Sequence, residues 1–330
     1  TICKFCGSNA FLLSSELATL ISGRYVEIPM QPLTFAEYLD FRGATWQPAG
    51  KTGSDIASFA DGSFATLANL FDQYRTFGGF PYLALQEPDE SVHRDYMRSI
   101  YQTIIVRDIM MRAQRKGLRA VSNQAALERI CAFMADNIGN ETSINKIAGS
   151  LKADGQSVTR ATTDFYISTL AEAYLFRHVL RYDVKGRELL KTGGKYYIAD
   201  VGMRNYLDSY RGSDSGRVLE NLVFNQLLFD DYDVLIGHLR GGEVDFIATK
   251  PRCKMYIQVT ENMQAEETQR RELAPLRRIG DEYRKIVVVG EGSYPSDIDG
   301  IEIVNIIDFL LHHKFPERNP LFLTYLLHLL

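Results

Sequence analysis

Hydrophobic and polar positions along this 330-residue chain fall into blocks of different period. A short apolar run at 2–6 leads into Gly7-Ser8-Asn9, followed by a helical stretch over about 15–22 and a strand over 24–28. From Leu33 to about Gln114 the spacing is helical, opened by Phe35-Ala36-Glu37-Tyr38-Leu39 and interrupted by a Gly/Ser/Thr-rich loop at 43–63. Three further helices are predicted in tight succession at 123–137, 143–152 and 157–173, the last two joined by Ala153-Asp154-Gly155-Gln156. Extended runs at 175–182 and 195–199 flank a turn at 183–187. The final block reads as a helix (215–229), three strands (234–239, 243–248, 255–259), a helix (266–278) and a strand (285–289).

Two short helices around a Gly-containing turn are the pattern of a helix-turn-helix. With the extended pair behind them they predict a winged helix over 119–205. Helix, three strands, helix, strand predicts an α/β core over 206–314. The opening strand carries small polar residues at its C-terminal end, as an open α/β sheet does where it meets a phosphate ligand. The other strands of such a sheet are missing, so residues 1–42 read as the remnant of a domain entered in mid-fold, joined to the winged helix by a helical linker at 43–118. After Pro316 and Pro320, the apolar stretch LFLTYLLHLL (321–330) reads as a C-terminal tail over 315–330, roughly half the length that crosses a bilayer. The expectation is a multi-domain α/β protein.

Composition supports this. Hydrophobic residues make up 45% and charged residues 24%, ordinary globular usage that excludes disordered, collagen-like and disulfide-scaffold classes. No apolar run reaches the roughly 18 residues of a membrane helix. Four cysteines without a disulfide-like spacing fit a reducing compartment, and a cytoplasmic protein is expected. The net charge of −4 advertises no polyanion partner for the chain as a whole. Locally the balance reverses: 91–116 carries six Lys/Arg against two Asp/Glu, and 143–197 carries nine against five. A positive unit in a negative chain points to phosphate contact. The candidate DNA-contacting residues are Lys152, Gln156, Ser157, Thr159, Arg160 and Thr163 on the helix-turn-helix, with Lys185 and Arg187 on the turn between the extended runs. A winged helix used only for protein contact is the competing reading, so duplex DNA and a protein partner both stand as candidate partners.

Two motifs are set aside. Gly50-Lys51-Thr52 resembles a phosphate-binding loop, but the position of the motif's first Gly is Thr45. Cys3-x-x-Cys6 has zinc spacing without a second ligand pair, so no metal is expected there. The last block is more informative. Glu220 on its first helix, Asp245 on the second strand and Gln258-Val259-Thr260 on the third match the layout of a restriction-endonuclease-like, PD-(D/E)XK core. Such sites hold a divalent ion between carboxylates, with a lysine two residues past the second acid. Here the acid is Gln258 and the lysine is Thr260. A neutral amide and a hydroxyl replace two of the four groups, so the expectation is a catalytically degenerate domain, with Lys254 as the one stand-in cation.

Several stretches together resemble a prokaryotic AAA-type ATPase family: GSNAFLLSSELATLISGRYVEI (7–28), FGGFP (77–81), YQTIIVRDI (101–109), ADNIG (135–139), KYYIADVGMRN (195–205), EVDFIA (243–248) and NIIDFLL (305–311). In that family a P-loop domain precedes a winged helix and a C-terminal domain of unknown function with a nuclease-like fold. The resemblance implies ATP and Mg²⁺ for the full-length family. It marks Ser8 and Asn9 as a sensor remnant and Arg24 as an arginine reaching a nucleotide phosphate. The Walker A and Walker B segments lie upstream of that sensor strand in the family and are missing here. The expectation is therefore a truncated member that does not hydrolyse ATP by itself, needs no cofactor of its own, and contacts DNA through the winged helix. A metal-dependent DNA nuclease using Glu220, Asp245 and Gln258 is the alternative, and a protein-interaction module without DNA binding is the third reading.

Overall fold

The computed structural model describes residues 30–46, 55–106, 109, 124–153, 158–190, 193–208 and 214–312. The expected sensor strand with Ser8, Asn9 and Arg24, the Cys3/Cys6 pair, Gly50-Lys51-Thr52, the basic residues Arg107, Arg112, Arg115 and Lys116, the linking residues Gln156 and Ser157, and the tail at 315–330 lie outside the described residues.

In chain order the helices are α1 (Phe35–Phe41), α2 (Leu67–Phe77), α3 (Pro81–Ala84), α4 (Glu90–Ile100), α5 (Gln124–Asp136), α6 (Ile144–Ala153), α7 (Arg160–Glu172), α8 (Val201–Asp208), α9 (Ser215–Phe229), α10 (Glu266–Arg277) and α11 (Ile306–His312). The strands are β1 (Ile56–Ser58), β2 (Phe64–Thr66), β3 (Phe176–Val179), β4 (Arg181–Asp183), β5 (Glu188–Leu189), β6 (Lys195–Ile198), β7 (Asp233–Leu239), β8 (Gly242–Lys250), β9 (Cys253–Thr260), β10 (Arg284–Val289), β11 (Asp297–Ile298) and β12 (Ile301–Asn305). The architecture is mixed α/β.

Local chemistry sets many of these boundaries. The Thr34-x-x-Glu37 pair forms a capping box: the Thr34 hydroxyl accepts from Glu37 N at 3.2 Å, and the Glu37 carboxylate accepts from Thr34 N at 3.0 Å. Thr66 and Asp89 cap α2 and α4 in the simpler way. Part of the loop expected at 43–63 is instead a hairpin, β1–β2, because Asp61 accepts from Ser63 N and Gly62 takes the positive φ its turn requires. The basic stretch 91–116, whose spacing predicts a helix, is α-helical from Glu90 to Ile100 and continues as a π-helical turn over Tyr101–Val106.

Eight strands form one sheet in the order β11-β12-β10-β9-β8-β7-β4-β5. β9, β10 and β12 are mutually parallel, β8 is antiparallel to both its neighbours, and β4 pairs in parallel with β7. α9 and α11 bury Leu219, Val223, Phe224 and Phe309 against one face with Phe246, Ile257 and Val288 of the sheet; α10 covers the other with Leu273 and Leu276 against Ile247, Tyr256 and Val287. A separate core holds α5, α6 and α7 together through Leu127, Ile130, Ile147, Tyr166 and Leu170, closed by Phe176 and Ile198 of the β3–β6 pair.

The sequence reading placed both extended runs in a wing belonging to the three-helix unit. Their inner halves, β3 and β6, do pair with each other, but the ribbon continues outward as β4 and β5 into the large sheet. The sheet thus draws strands from both sides of residue 205.

Candidate functional site

Two side chains of β6 cross from the three-helix unit into the sheet. Lys195 is 4% exposed, and its ammonium lies 3.0 Å from Glu220 Oε1 on α9, 2.8 Å from Glu243 Oε1 and 3.6 Å from Asp245 Oδ1 on β8. Tyr197, fully buried one pleat further, donates its hydroxyl to Glu220 Oε1 at 2.5 Å. β8 reaches this cluster through a bulge. Leu235 pairs with Ile247 and Gly237 with Val244, so Asp245 and Phe246 together oppose the single residue Ile236. Asp245 is fixed by its second oxygen, which accepts from Val259 N at 2.8 Å. Gly139, at φ +71, sits where a Cβ would come within 3.2 Å of the Glu220 carboxylate, so the ADNIG turn closes that side.

The electrostatics are those of one buried cation shared by three acids. Burial raises the Asp245 carboxyl far above the ordinary carboxylate range and Glu220 adds to this, while Lys195 and the Val259 amide pull it down. For Lys195, burial acts downward but the carboxylates of Glu220, Asp245 and Glu243 outweigh it, so the ammonium holds its proton more tightly than in water. Burial and Glu220 together keep the Tyr197 phenol protonated. The place a divalent ion would take among these carboxylates is held by Lys195, and the residues as arranged do not fit a metal.

The four positions predicted for this site separate. Glu220 and Asp245 share the cluster. Gln258 turns to the other side of the sheet, donating Nε2 to Glu272 Oε2 of α10 at 3.1 Å; its buried Oε1 has no hydrogen-bond partner among the described residues. Thr260 donates to the Asn262 carbonyl at 3.1 Å. Lys254, the expected stand-in, is engaged elsewhere, 3.8 Å from Asp281 and stacked over Tyr256 and Tyr283. The cation of the cluster is Lys195, which the sequence reading missed; its signal was a lone lysine opening an otherwise apolar strand, KYYI. In a second group of acids within ligand reach of one another, Asp136, Asp208 and Asp214, two are tied to internal cations: Arg204 pairs with Asp208 at 3.3 Å and with Asp214 at 2.5 Å, and Arg217 pairs with Asp214.

The segment following β6 is a junction. Asp200, buried at the start of α8, accepts from Gly79 N at 2.7 Å and Met203 N at 2.9 Å, and burial pushes its carboxyl up to about 6 against those hydrogen bonds. Asn205 donates to the last carbonyls of α2, Arg75 and Thr76. Asn221 of α9 bonds both the N–H and the C=O of Ile198 at 2.8 Å. The FGGFP, ADNIG and KYYIADVGMRN stretches therefore meet in space.

The candidate nucleic-acid residues are divided. Lys152 is exposed in the last turn of α6, and Arg160 is exposed at the start of α7. Thr159 caps α7, its hydroxyl accepting from Thr162 N at 3.1 Å. Thr163 does not face outward: it is 0% exposed, bonded to the Thr159 carbonyl, and falls on the apolar stripe with Tyr166, Ile167 and Leu170. Lys185 and Arg187 are exposed on the β4–β5 turn.

Among known proteins, a family described as a domain of unknown function (DUF8612) matches residues 68–214. An uncharacterized protein of Haemophilus influenzae is 35% identical over 305 residues, covering 92% of this chain and 70% of that protein. The uncharacterized protein MJ1544 of Methanocaldococcus jannaschii is 29% identical over 245 residues, 73% of this chain and 51% of that one. Among solved structures, protein VC1899 from Vibrio cholerae is similar at 13% identity and a TM-score of 0.23, over 88% of this chain and 63% of that chain. Seven-tenths of the Haemophilus protein and half of the archaeal one are thus spanned. By its identity and coverage the chain belongs to the family of the uncharacterized Haemophilus influenzae protein, with an archaeal homologue and a domain of unknown function across its middle.

Proposed function

We propose that this chain is a non-cleaving, DNA-contacting member of an AAA-type ATPase family, in which the helix-turn-helix of α6 and α7 contacts the duplex and the C-terminal nuclease-like α/β unit serves as a binding and assembly module. The observation that carries the reading is the seat of Lys195. A hydrolytic metal site needs carboxylates free to coordinate and an open position for water. Here an ammonium within 3.6 Å of all three carboxylates supplies the compensating charge, and Gln258 and Thr260 are turned to other partners. Exposed Lys152 and Arg160, with Lys185 and Arg187 on the ribbon, form no salt bridge with a described residue and are available to neutralise phosphates. ATP and Mg²⁺ belong in this reading to the wider family, and no described residue of this chain is assigned to either.

The test is binding of labelled duplex DNA across a salt series, with Arg160→Ala beside the wild type, and a plasmid cleavage assay in Mg²⁺ and Mn²⁺. Steep salt dependence weakened by the substitution, without cleavage, is the expected result. Cleavage that disappears in Asp245→Ala would overturn the non-cleaving reading, and absence of binding at low salt would move the function to protein contact.

A further inference from the structure

The ribbon that carries Lys185 and Arg187 is pinned into the sheet rather than projecting from it. β4 runs parallel to β7, with Asp183 paired to His238, and Val184 N donates to the His238 carbonyl at 3.1 Å. Beyond that pair the two strands leave the sheet at the same end. Neighbouring strands lie about 4.8 Å apart. The ribbon's turn, Val184–Arg187, is therefore set beside the β7–β8 turn, Arg240–Gly241. Onto that second turn folds the end of α10, where Arg278 Nη1 donates to the Gly241 carbonyl at 3.0 Å.

Four cations consequently share one corner of the molecule: Lys185, Arg187, Arg240 and Arg278, all exposed. None makes a salt bridge with a described residue, in contrast to their neighbours. Arg181, on the same ribbon, is paired with Glu141 at 2.7 Å, and Arg277, next to Arg278, with Asp299 at 2.6 Å. Of the nearby acids, Asp183 accepts from the amides of Lys185 and Gly186, and Glu243 is paired with Lys195; Glu188 is the exposed acid of the turn. Exposed cations without a salt bridge to a described residue, gathered on two adjoining turns with Asp183 near Lys185, in a chain whose net charge is negative, fit a partner that brings a row of fixed negative charges.

We infer that a bound duplex does not end at the ribbon but continues across the β7–β8 turn, so that Arg240 and Arg278 of the C-terminal α/β unit each contact a backbone phosphate. This rests on the DNA-contacting reading above. It gives the C-terminal unit a direct part in binding, with its cations rather than its acids as the working groups. Because phosphate contacts position the protein without reading bases, the contribution is independent of sequence.

The deciding experiment compares wild type, Arg240→Ala/Arg278→Ala and Arg277→Ala by fluorescence anisotropy on an arbitrary labelled duplex between about 50 and 200 mM salt. Each phosphate contact contributes roughly 0.9 to the slope of log affinity against log salt. The double substitution is expected to flatten that slope by about 1.8 and Arg277→Ala to leave it unchanged. Arg240→Ala alone, at a side chain with no intramolecular salt bridge to lose among the described residues, is expected to remove about half of that change while leaving the unfolding midpoint of the free protein in place. A wild type that binds, with an unaltered slope in the double variant and weakened binding in Arg160→Ala, would overturn this inference alone. A wild type that does not bind duplex at low salt would overturn the DNA-contacting reading beneath it.

Discussion

Lys195 is where a single residue decides what a site can do. Its ammonium is buried among Glu220, Glu243 and Asp245, so removing it leaves the buried acids Glu220 and Asp245, and the partly exposed Glu243 beside them, without their shared cation. Breaking a buried ionic group in this way costs about 3–5 kcal/mol. Lys195→Met is expected to lose stability of that order in urea unfolding. Because the vacated position is a cation site by charge and by ligand type, millimolar Mg²⁺ or Ca²⁺ should raise the midpoint of the variant and leave the wild type unmoved. Asp200 gives the second expectation at this scale. Its folded carboxyl sits at about 6, above the roughly 3.9 of an unfolded aspartate. The folded state therefore binds more protons than the unfolded state between about pH 4 and 6, and stability falls as pH rises through that window. Asp200→Asn should make the fall in stability between pH 4 and 6 shallower without abolishing it, because the raised Asp245 carboxyl contributes a fall of the same sign.

The elements explain both what could be read from the chain and what could not. α9 is predicted at 215–229 and found at Ser215–Phe229, because Val218, Leu219, Leu222, Val223 and Leu227 recur three and four residues apart over a stretch too long for a strand. The strands around Asp245 and Gln258 are legible for a different reason, as short, largely apolar runs bounded by turn residues, which is how strands buried on both faces read. The union of β4 with β7 is not. It joins Tyr182 to Gly237 in parallel, a pairing between distant residues that leaves no mark on the local spacing of either strand. Lys195 was missed because a lysine in a strand reads as solvent-facing until acids from α9 and β8 are brought to it. Thr163 was misplaced although its spacing with Tyr166, Ile167 and Leu170 put it on the buried stripe. The glycines of the α8 junction carry a further prediction. A Cβ at Gly202 would overlap the Phe77 carbonyl oxygen, a backbone atom that cannot step aside. Gly202→Ala is expected to cost about 1–3 kcal/mol or more by overpacking, read as a lowered thermal midpoint.

At the scale of the whole molecule, shared parts add to the packing of faces, since the core beneath the sheet also takes in Phe35 of α1 and Leu70 of α2. α8 is tied to α2 through Asn205, to α5 through Arg204 and the Ala135 carbonyl, and to the turn between α2 and α3 through Asp200 and Gly79. The single tryptophan, Trp46, packs against the core that also contains α9 and the sheet. Its fluorescence and the far-UV signal of the helices are therefore expected to change together on denaturation, in one transition; two separated midpoints would show that the three-helix unit and the sheet unfold independently.

The position of β4 has a consequence for the making of the protein. β4 is complete some fifty residues before β7, the strand it lies against, has been synthesised. During translation its unpaired edge must wait through the whole of α8 and α9, held only by the β3–β6 base and the turn to β5. Pairings that close so late are slow, and while they are pending the open edge invites the wrong strand. The nascent chain is thus most vulnerable to misassembly between the emergence of β4 and that of β7, and a ribosomal pause placed in that interval lengthens the exposure.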